Sequence, residues 1–147
     1  MNETVQAELK KIFNGRFSTS ESTRANYARG EDTYNPILSK AVVFPETNEE
    51  VSKILKICNE HKIPVVPFGT GTSLEGHVVG NQNGITISLE KMNKVLSVNA
   101  EDFDCRVQAN VTRKQLNEYL REDGVFFPID PGCLLYTSPS PRDTNPS

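Results

Sequence analysis

Between Ala41 and Phe68 the chain sets two short, uniformly apolar runs on either side of a helix-length amphipathic segment, and few folds accept that order. Ala41-Val42-Val43-Phe44-Pro45 has the length of a strand and is stopped by proline. Thr47-Asn48-Glu49-Glu50 follows it as a capping box. The Thr47 hydroxyl can accept from the Glu50 amide while the Glu50 side chain reaches back, which stabilises a helix start by about 1 kcal/mol. Val51, Ile54, Leu55 and Cys58 then share one face, and the helix is expected to run to about Lys62, ahead of Pro64. Val65-Val66-Pro67-Phe68 supplies a second strand. Strand, helix, strand is a βαβ unit, and because neither strand alternates, a parallel sheet covered on both faces is expected.

Upstream, Val5, Leu9, Ile12 and Phe13 repeat at helical spacing and Asn14-Gly15 provides a left-handed stop. The polar stretch from Arg16 to Asn35 lacks periodicity and reads as a loop or arm. Downstream, Gly84-Ile85-Thr86-Ile87-Ser88-Leu89 reads as a third strand. Val95 to Asn99 and Cys105 to Ala109 read as an antiparallel hairpin around the polar turn Ala100-Glu101-Asp102. Thr112-Arg113-Lys114-Gln115 is a second capping box, opening a helix with Leu116, Tyr119 and Leu120 inward and Gly124 beyond its end. Val125-Phe126-Phe127-Pro128 is expected to return to the core. The fold class is therefore α+β.

Composition narrows the partners. The 147 residues hold 16 Lys plus Arg against 19 Asp plus Glu, a formal charge of -3 with both signs interspersed. Such a chain has no electrostatic footprint for phosphate backbones, so no nucleic-acid partner is expected. No apolar run approaches the roughly 20 residues of a membrane helix, so no transmembrane segment is expected. Cys58, Cys105 and Cys133 are odd in number and widely spaced, which suggests neither a disulfide framework nor a metal site. The N-terminus shows neither a secretory signal nor a transit pattern.

Chemistry concentrates in Gly69-Thr70-Gly71-Thr72-Ser73-Leu74-Glu75-Gly76-His77, which follows the second strand directly. Glycines there allow consecutive amides to face outward as an anion-binding nest, with Thr70, Thr72 and Ser73 adding hydroxyls. No Gly-Lys-Thr/Ser follows and the GxGxxG spacing fails, which disfavours a P-loop and an NAD-type Rossmann site. The same composition also serves a tight connection after an α/β strand. His77, isolated beside a glycine, reads as a loop residue.

Pro67 to His77 closely resembles the pyrophosphate loop of the FAD-linked oxidases with a PCMH-type, or vanillyl-alcohol-oxidase-type, FAD-binding domain. Tyr34 to Pro45, Thr47 to Ile54, Val107 to Leu120 and Phe127-Pro128-Ile129-Asp130-Pro131-Gly132 resemble the same family, so the likeness spans about Asp32 to Gly132. Within it the pattern is similar to the cytochrome-linked D-lactate dehydrogenases and the FAD subunit of glycolate oxidase. The resemblance implies a first subdomain with a small parallel βαβ sheet and the start of a second, mixed or antiparallel sheet. It implies that Phe68, Gly69, Thr70, Gly71, Thr72, Ser73 and Gly76 hold FAD, with Pro131 and Gly132 along the far side of the cofactor. Some relatives link FAD covalently through a His in this loop; Thr72 stands at the matching position, so non-covalent FAD is implied. Asn110 stands where relatives have Gly, which is expected to perturb the turn into the Thr112 helix.

The implied function is hydride transfer from a small D-2-hydroxy acid, of the D-lactate or glycolate type, to FAD, in a cytoplasmic or mitochondrial protein with an unassigned electron acceptor. The family's substrate domain would follow Gly132, so a truncated fragment without turnover is implied, and no catalytic residue is assigned; Tyr34, Asp130 and His77 show no spacing of a poised base. The alternatives are a non-catalytic phosphate- or nucleotide-binding module, and a flavoenzyme of the same family acting on another alcohol. Residues 1–35 are read as an N-terminal helix and arm, and 36–132 as a partial FAD-binding domain. Residues 133–147 are read as a disordered tail. Cys133 to Asp143 resembles translated read-through of a sequencing adaptor, so the native sequence is expected to stop near Gly132; an authentic disordered C-terminus is the other reading.

Overall fold

The computed structural model describes residues 3–129. The apolar stripe of the N-terminal segment forms α1 (Glu3–Ile12), with Val5 and Leu9 buried and Gly15 at φ +77° turning the chain out of it. The arm then departs from the expected loop. Phe17–Ser18 form a short strand, β1, and Glu21–Asn26 form a helix, α2, capped by Ser20, whose hydroxyl accepts from the Thr23 amide at 3.3 Å. Six residues with none buried leave no periodicity to read, and the segment is fixed by long-range contacts instead.

The βαβ reading holds. β2 (Ala41–Val43) leads into α3 (Asn48–Glu60) and then β3 (Val65–Phe68), and the Thr47 hydroxyl accepts from the Glu50 amide at 3.2 Å. Glu50 does not close the box on Thr47. Its carboxylate accepts from the Glu46 amide at 2.7 Å and takes both terminal nitrogens of Arg16 at 2.7 Å each. On α3 the buried residues are Ile54, Ile57 and Cys58, whereas Leu55, expected inward, is exposed.

β4 (Ile85–Ser88) lies between β2 and β3 and is parallel to both, so the strand order is β1-β2-β4-β3 with β1 antiparallel at one edge. Every residue of β2 and β4 is buried, as uniformly apolar or satisfied strands require when both faces are covered. Ala41, Val43, Ile85 and Ile87 join Val5, Leu9, Phe13, Ile54, Ile57 and Cys58 in one core. The polar residues of β4 face the other way: Thr86 donates to the Ser39 hydroxyl at 2.8 Å, and that oxygen also accepts from the Asn81 amide at 3.0 Å. Pro67, which has no amide to offer a neighbour, sits on edge strand β3 and is exposed.

The second sheet is the expected hairpin, β5 (Val95–Asn99) paired antiparallel with β6 (Asp104–Val107). α4 (Arg113–Leu120) follows, capped by Thr112, which accepts from the Gln115 amide at 3.2 Å. At Asn110 the amide donates to the Met92 carbonyl at 2.9 Å, and α4 starts on its Thr112 cap. Two expectations fail here. Tyr119 is exposed, and Val125 to Pro128 do not return to the core, with Phe126 73% exposed. Asn117 holds that segment alongside α4 by accepting from the Phe127 amide at 2.7 Å, which fixes the backbone and leaves the rings outside. The tail and its adaptor reading lie outside the described residues.

Candidate functional site

In a parallel sheet the strand ends that face one way form a common edge, and in open α/β sheets ligands collect in the crevice outside the carboxyl ends. Here that edge carries Phe44 after β2, Gly69 to Gly76 after β3, and Leu89-Glu90 after β4. The arm lies against it. Tyr27 packs edge-on to Phe44 and Phe68, with ring centroids 5.5 and 5.1 Å away, and its hydroxyl donates to the Glu90 carboxylate at 2.6 Å. Burial, then the bond to Glu90, pushes the Tyr27 phenol up to about 12.

The loop after β3 is built from beneath by Phe68. This residue is buried, its carbonyl accepts from the Leu89 amide at 2.9 Å, and its ring fills the space that a side chain at position 71 would need. A Cβ on Gly71 would lie 2.6 Å from the ring, and Gly71 holds φ +76°, so glycine is required twice over. Gly76, at φ +73°, has the Tyr34 ring in the same relation at 2.9 Å. Thr70 and Thr72 pair their hydroxyls at 3.2 Å, and Ser73 pairs its hydroxyl with His77 Nδ1 at 3.0 Å.

Among the described residues, no amide from 69 to 78 donates to a protein acceptor. A run of unspent amides at a half-covered surface is a cradle for an anion with several acceptor oxygens, and the three loop hydroxyls enlarge it. That donor set fits a phosphate or diphosphate group. Gly69, Thr70, Gly71, Thr72, Ser73 and Gly76 fall in this one loop and Phe68 ends the strand that leads into it, while Pro131 and Gly132 lie outside the described residues. Beside the loop, Tyr34, Asn35, Ile37, Glu75, Gly76 and Val79 line an open cavity of about 520 Å³.

Two contacts of the loop escaped the sequence reading. Asn110 brings its side-chain oxygen to 3.6 Å from where a Gly69 Cβ would stand, and Gly30 of the arm lies against the carbonyls of Gly71 and Ser73. Both contacts join residues about 40 positions apart, and neither leaves a local signature. Among the described residues, no helix is long and apolar enough to cross a membrane, and no cluster of three or more His, Cys, Asp or Glu side chains is placed to hold a metal.

A family model described as a FAD binding domain matches residues 39–138. A probable mitochondrial D-lactate dehydrogenase of Danio rerio is 46% identical over 116 residues, covering 79% of this chain and 23% of that protein. The mitochondrial D-lactate dehydrogenase [cytochrome] of Arabidopsis thaliana is 40% identical over 128 residues, covering 86% of this chain and 23% of that one. The chain thus spans about a quarter of the length of these curated relatives. A solved alkyldihydroxyacetonephosphate synthase superposes with a TM-score of 0.81 at 20% identity, over 90% of this chain and 27% of its own, and shares the fold.

Proposed function

The chain belongs to the FAD binding domain family, and from that membership we propose that it is the N-terminal part of an FAD-dependent oxidoreductase acting on a small D-2-hydroxy acid, D-lactate or glycolate in type. The observation that carries this reading is the run of unspent amides from 69 to 78 at the carboxyl edge of the parallel sheet. Gly69, Thr70, Gly71, Thr72 and Ser73 bind the FAD pyrophosphate through amides and hydroxyls, Gly76 lets the chain turn beside it, and Phe68 supports the loop from below. Pro131 and Gly132 are assigned to the far side of the cofactor on the family resemblance.

When bound, the flavin supplies the hydride-accepting chemistry; the residues of this chain supply binding and orientation. FAD is held without a covalent link, since Thr72 stands where the covalently linked members of the family carry the linking His. Both relatives described above carry a mitochondrial designation in their names, and we extend that location to the whole protein.

The test is a titration with FAD, followed by absorbance, of residues 1–132 and of the longer protein that contains them. The longer protein should be yellow, should bleach on adding D-lactate or glycolate, and should release its flavin on acid precipitation. The short form should bind weakly and not turn over, because the described residues offer the ring no enclosing walls. If neither form binds flavin, the reading fails, and the loop is left as a connection or as a site for another phosphate ligand.

A further inference from the structure

We infer that Gly30, in the N-terminal arm, is a positioning residue for the phosphate-binding loop, acting as the wall that turns the Thr72 and Leu74 amides outward. The inference rests on the flavin reading and extends its site to a segment some 40 residues away.

The geometry begins with contact. A Cβ on Gly30 would meet the Ser73 carbonyl oxygen at 2.7 Å, the Gly71 carbonyl oxygen at 2.9 Å and a Val78 methyl at 2.9 Å. These two oxygens are therefore the loop atoms nearest that point of the arm. In a planar trans peptide the carbonyl and the following N–H point in opposite directions. A Gly71 carbonyl aimed at Gly30 sends the Thr72 N–H away from the arm, and a Ser73 carbonyl aimed there does the same for Leu74. Alternate amides are thus presented together on the open side, which is how a nest holds an anion. Neither amide has a protein acceptor, as the assignment requires.

The wall is itself fixed. Asp32, 7% exposed, accepts from the Gly30 amide at 3.2 Å and the Tyr34 amide at 3.0 Å, one oxygen each. Ala28, fully buried, accepts from the Gly80 amide at 2.9 Å. The Tyr34 ring closes on Gly76. Gly30 does not lie in the left-handed region, so Gly30→Ala is conformationally allowed and tests space alone.

The experiment uses the full-length protein stripped of flavin, with FAD and riboflavin as paired probes, since riboflavin lacks the phosphates. Gly30→Ala should weaken FAD by about tenfold or more, the scale of one lost charge-assisted hydrogen bond, and leave riboflavin within about twofold. Glu31→Ala, an exposed neighbour in the same arm, should change neither. Equal weakening of both ligands would mean a general structural defect and overturn the inference, as would unchanged FAD affinity. If Gly30→Ala does not fold, Asp32→Asn, which keeps the size but weakens the clamp, should show the same split at a few-fold, and its absence counts against the inference equally. Failure of the unmutated protein to bind FAD would overturn the flavin reading first, and this inference with it.

Discussion

Glu50, in the first turn of α3, joins three parts of the molecule, because its carboxylate accepts from the Glu46 amide and grips Arg16 with both oxygens. Arg16 in turn donates to the Phe44 carbonyl at 3.2 Å, so the pair ties the arm to the exit of β2. The hydrogen bonds from Arg16, aided by the Glu46 amide, hold the Glu50 carboxyl down to about 2, against an ordinary 4.5. The side chains are 23% and 26% exposed, which leaves the pair only partly screened. A depressed carboxyl stabilises the fold fully above its unfolded value and loses that contribution as pH falls through the folded one. Stability should therefore drop between pH 4.5 and 2, and Glu50→Gln should flatten that limb while costing about 1 to 2 kcal/mol at neutral pH. Urea unfolding of both proteins at pH 7 and pH 3 measures the two slopes. At Gly71, alanine meets both a positive φ and the Phe68 ring. Gly71→Ala should cost about 1 to 2 kcal/mol by thermal unfolding and abolish FAD binding.

Among the helices α1 to α4, α2 alone buries none of its own residues and depends on tertiary partners. Arg24 donates to the Ser39 carbonyl at 2.5 Å, and Tyr27, at the helix end, sits between two phenylalanine rings with its hydroxyl on Glu90. Tyr27→Phe should keep the stacking and cost about 0.5 to 1.5 kcal/mol for the lost hydrogen bond. Tyr27→Ala should release the arm, seen as faster amide exchange across residues 20–34. In the native protein, titration of tyrosinate absorbance should show one of the four tyrosines ionising near pH 12. These contacts explain what could be read from residues alone. Helix α3 announces itself through Thr47 and a spaced apolar face, β2 through a short unbroken apolar run, and β4 through the alternating Ile85-Thr86-Ile87-Ser88 bounded by turn residues. The Gly69 to Ser73 loop was legible because its glycines and hydroxyls are consecutive. The arm was not, because its order comes from Phe44, Phe68 and Glu90, and Gly30 alone among charged residues says nothing of the carbonyls it touches. Val125 to Pro128 misled for the opposite reason: an apolar run looks like core wherever it lies, and Asn117 keeps this one on the surface.

Among the described residues, the four-stranded sheet is packed into a core and the β5–β6 hairpin is largely exposed. The hairpin β5–β6, Leu120 and residues 125–128 enclose an apolar cavity of about 380 Å³, with Phe103 at its rim 86% exposed. Exposed apolar surface of this kind binds hydrophobic dyes and promotes self-association. The 147-residue chain should enhance anilinonaphthalene sulfonate fluorescence at neutral pH, and Phe103→Ser with Phe126→Ser should remove most of that signal; an equal signal would place the dye elsewhere. The four-stranded sheet carries a different implication, in time. Its central strand comes last of the three parallel strands, because β4 fills the gap between β2 and β3. At roughly 5 to 20 residues per second, the interval between the synthesis of Val43 and that of Ile85 lasts seconds. For its last part, from Phe68 onward, both flanking strands are already made and neither has its parallel neighbour. On the ribosome this part of the protein must wait, with two apolar strand edges open, for Ile85 to Ser88 to emerge, and any transcript cut short before that point encodes β2 and β3 without the strand that joins them.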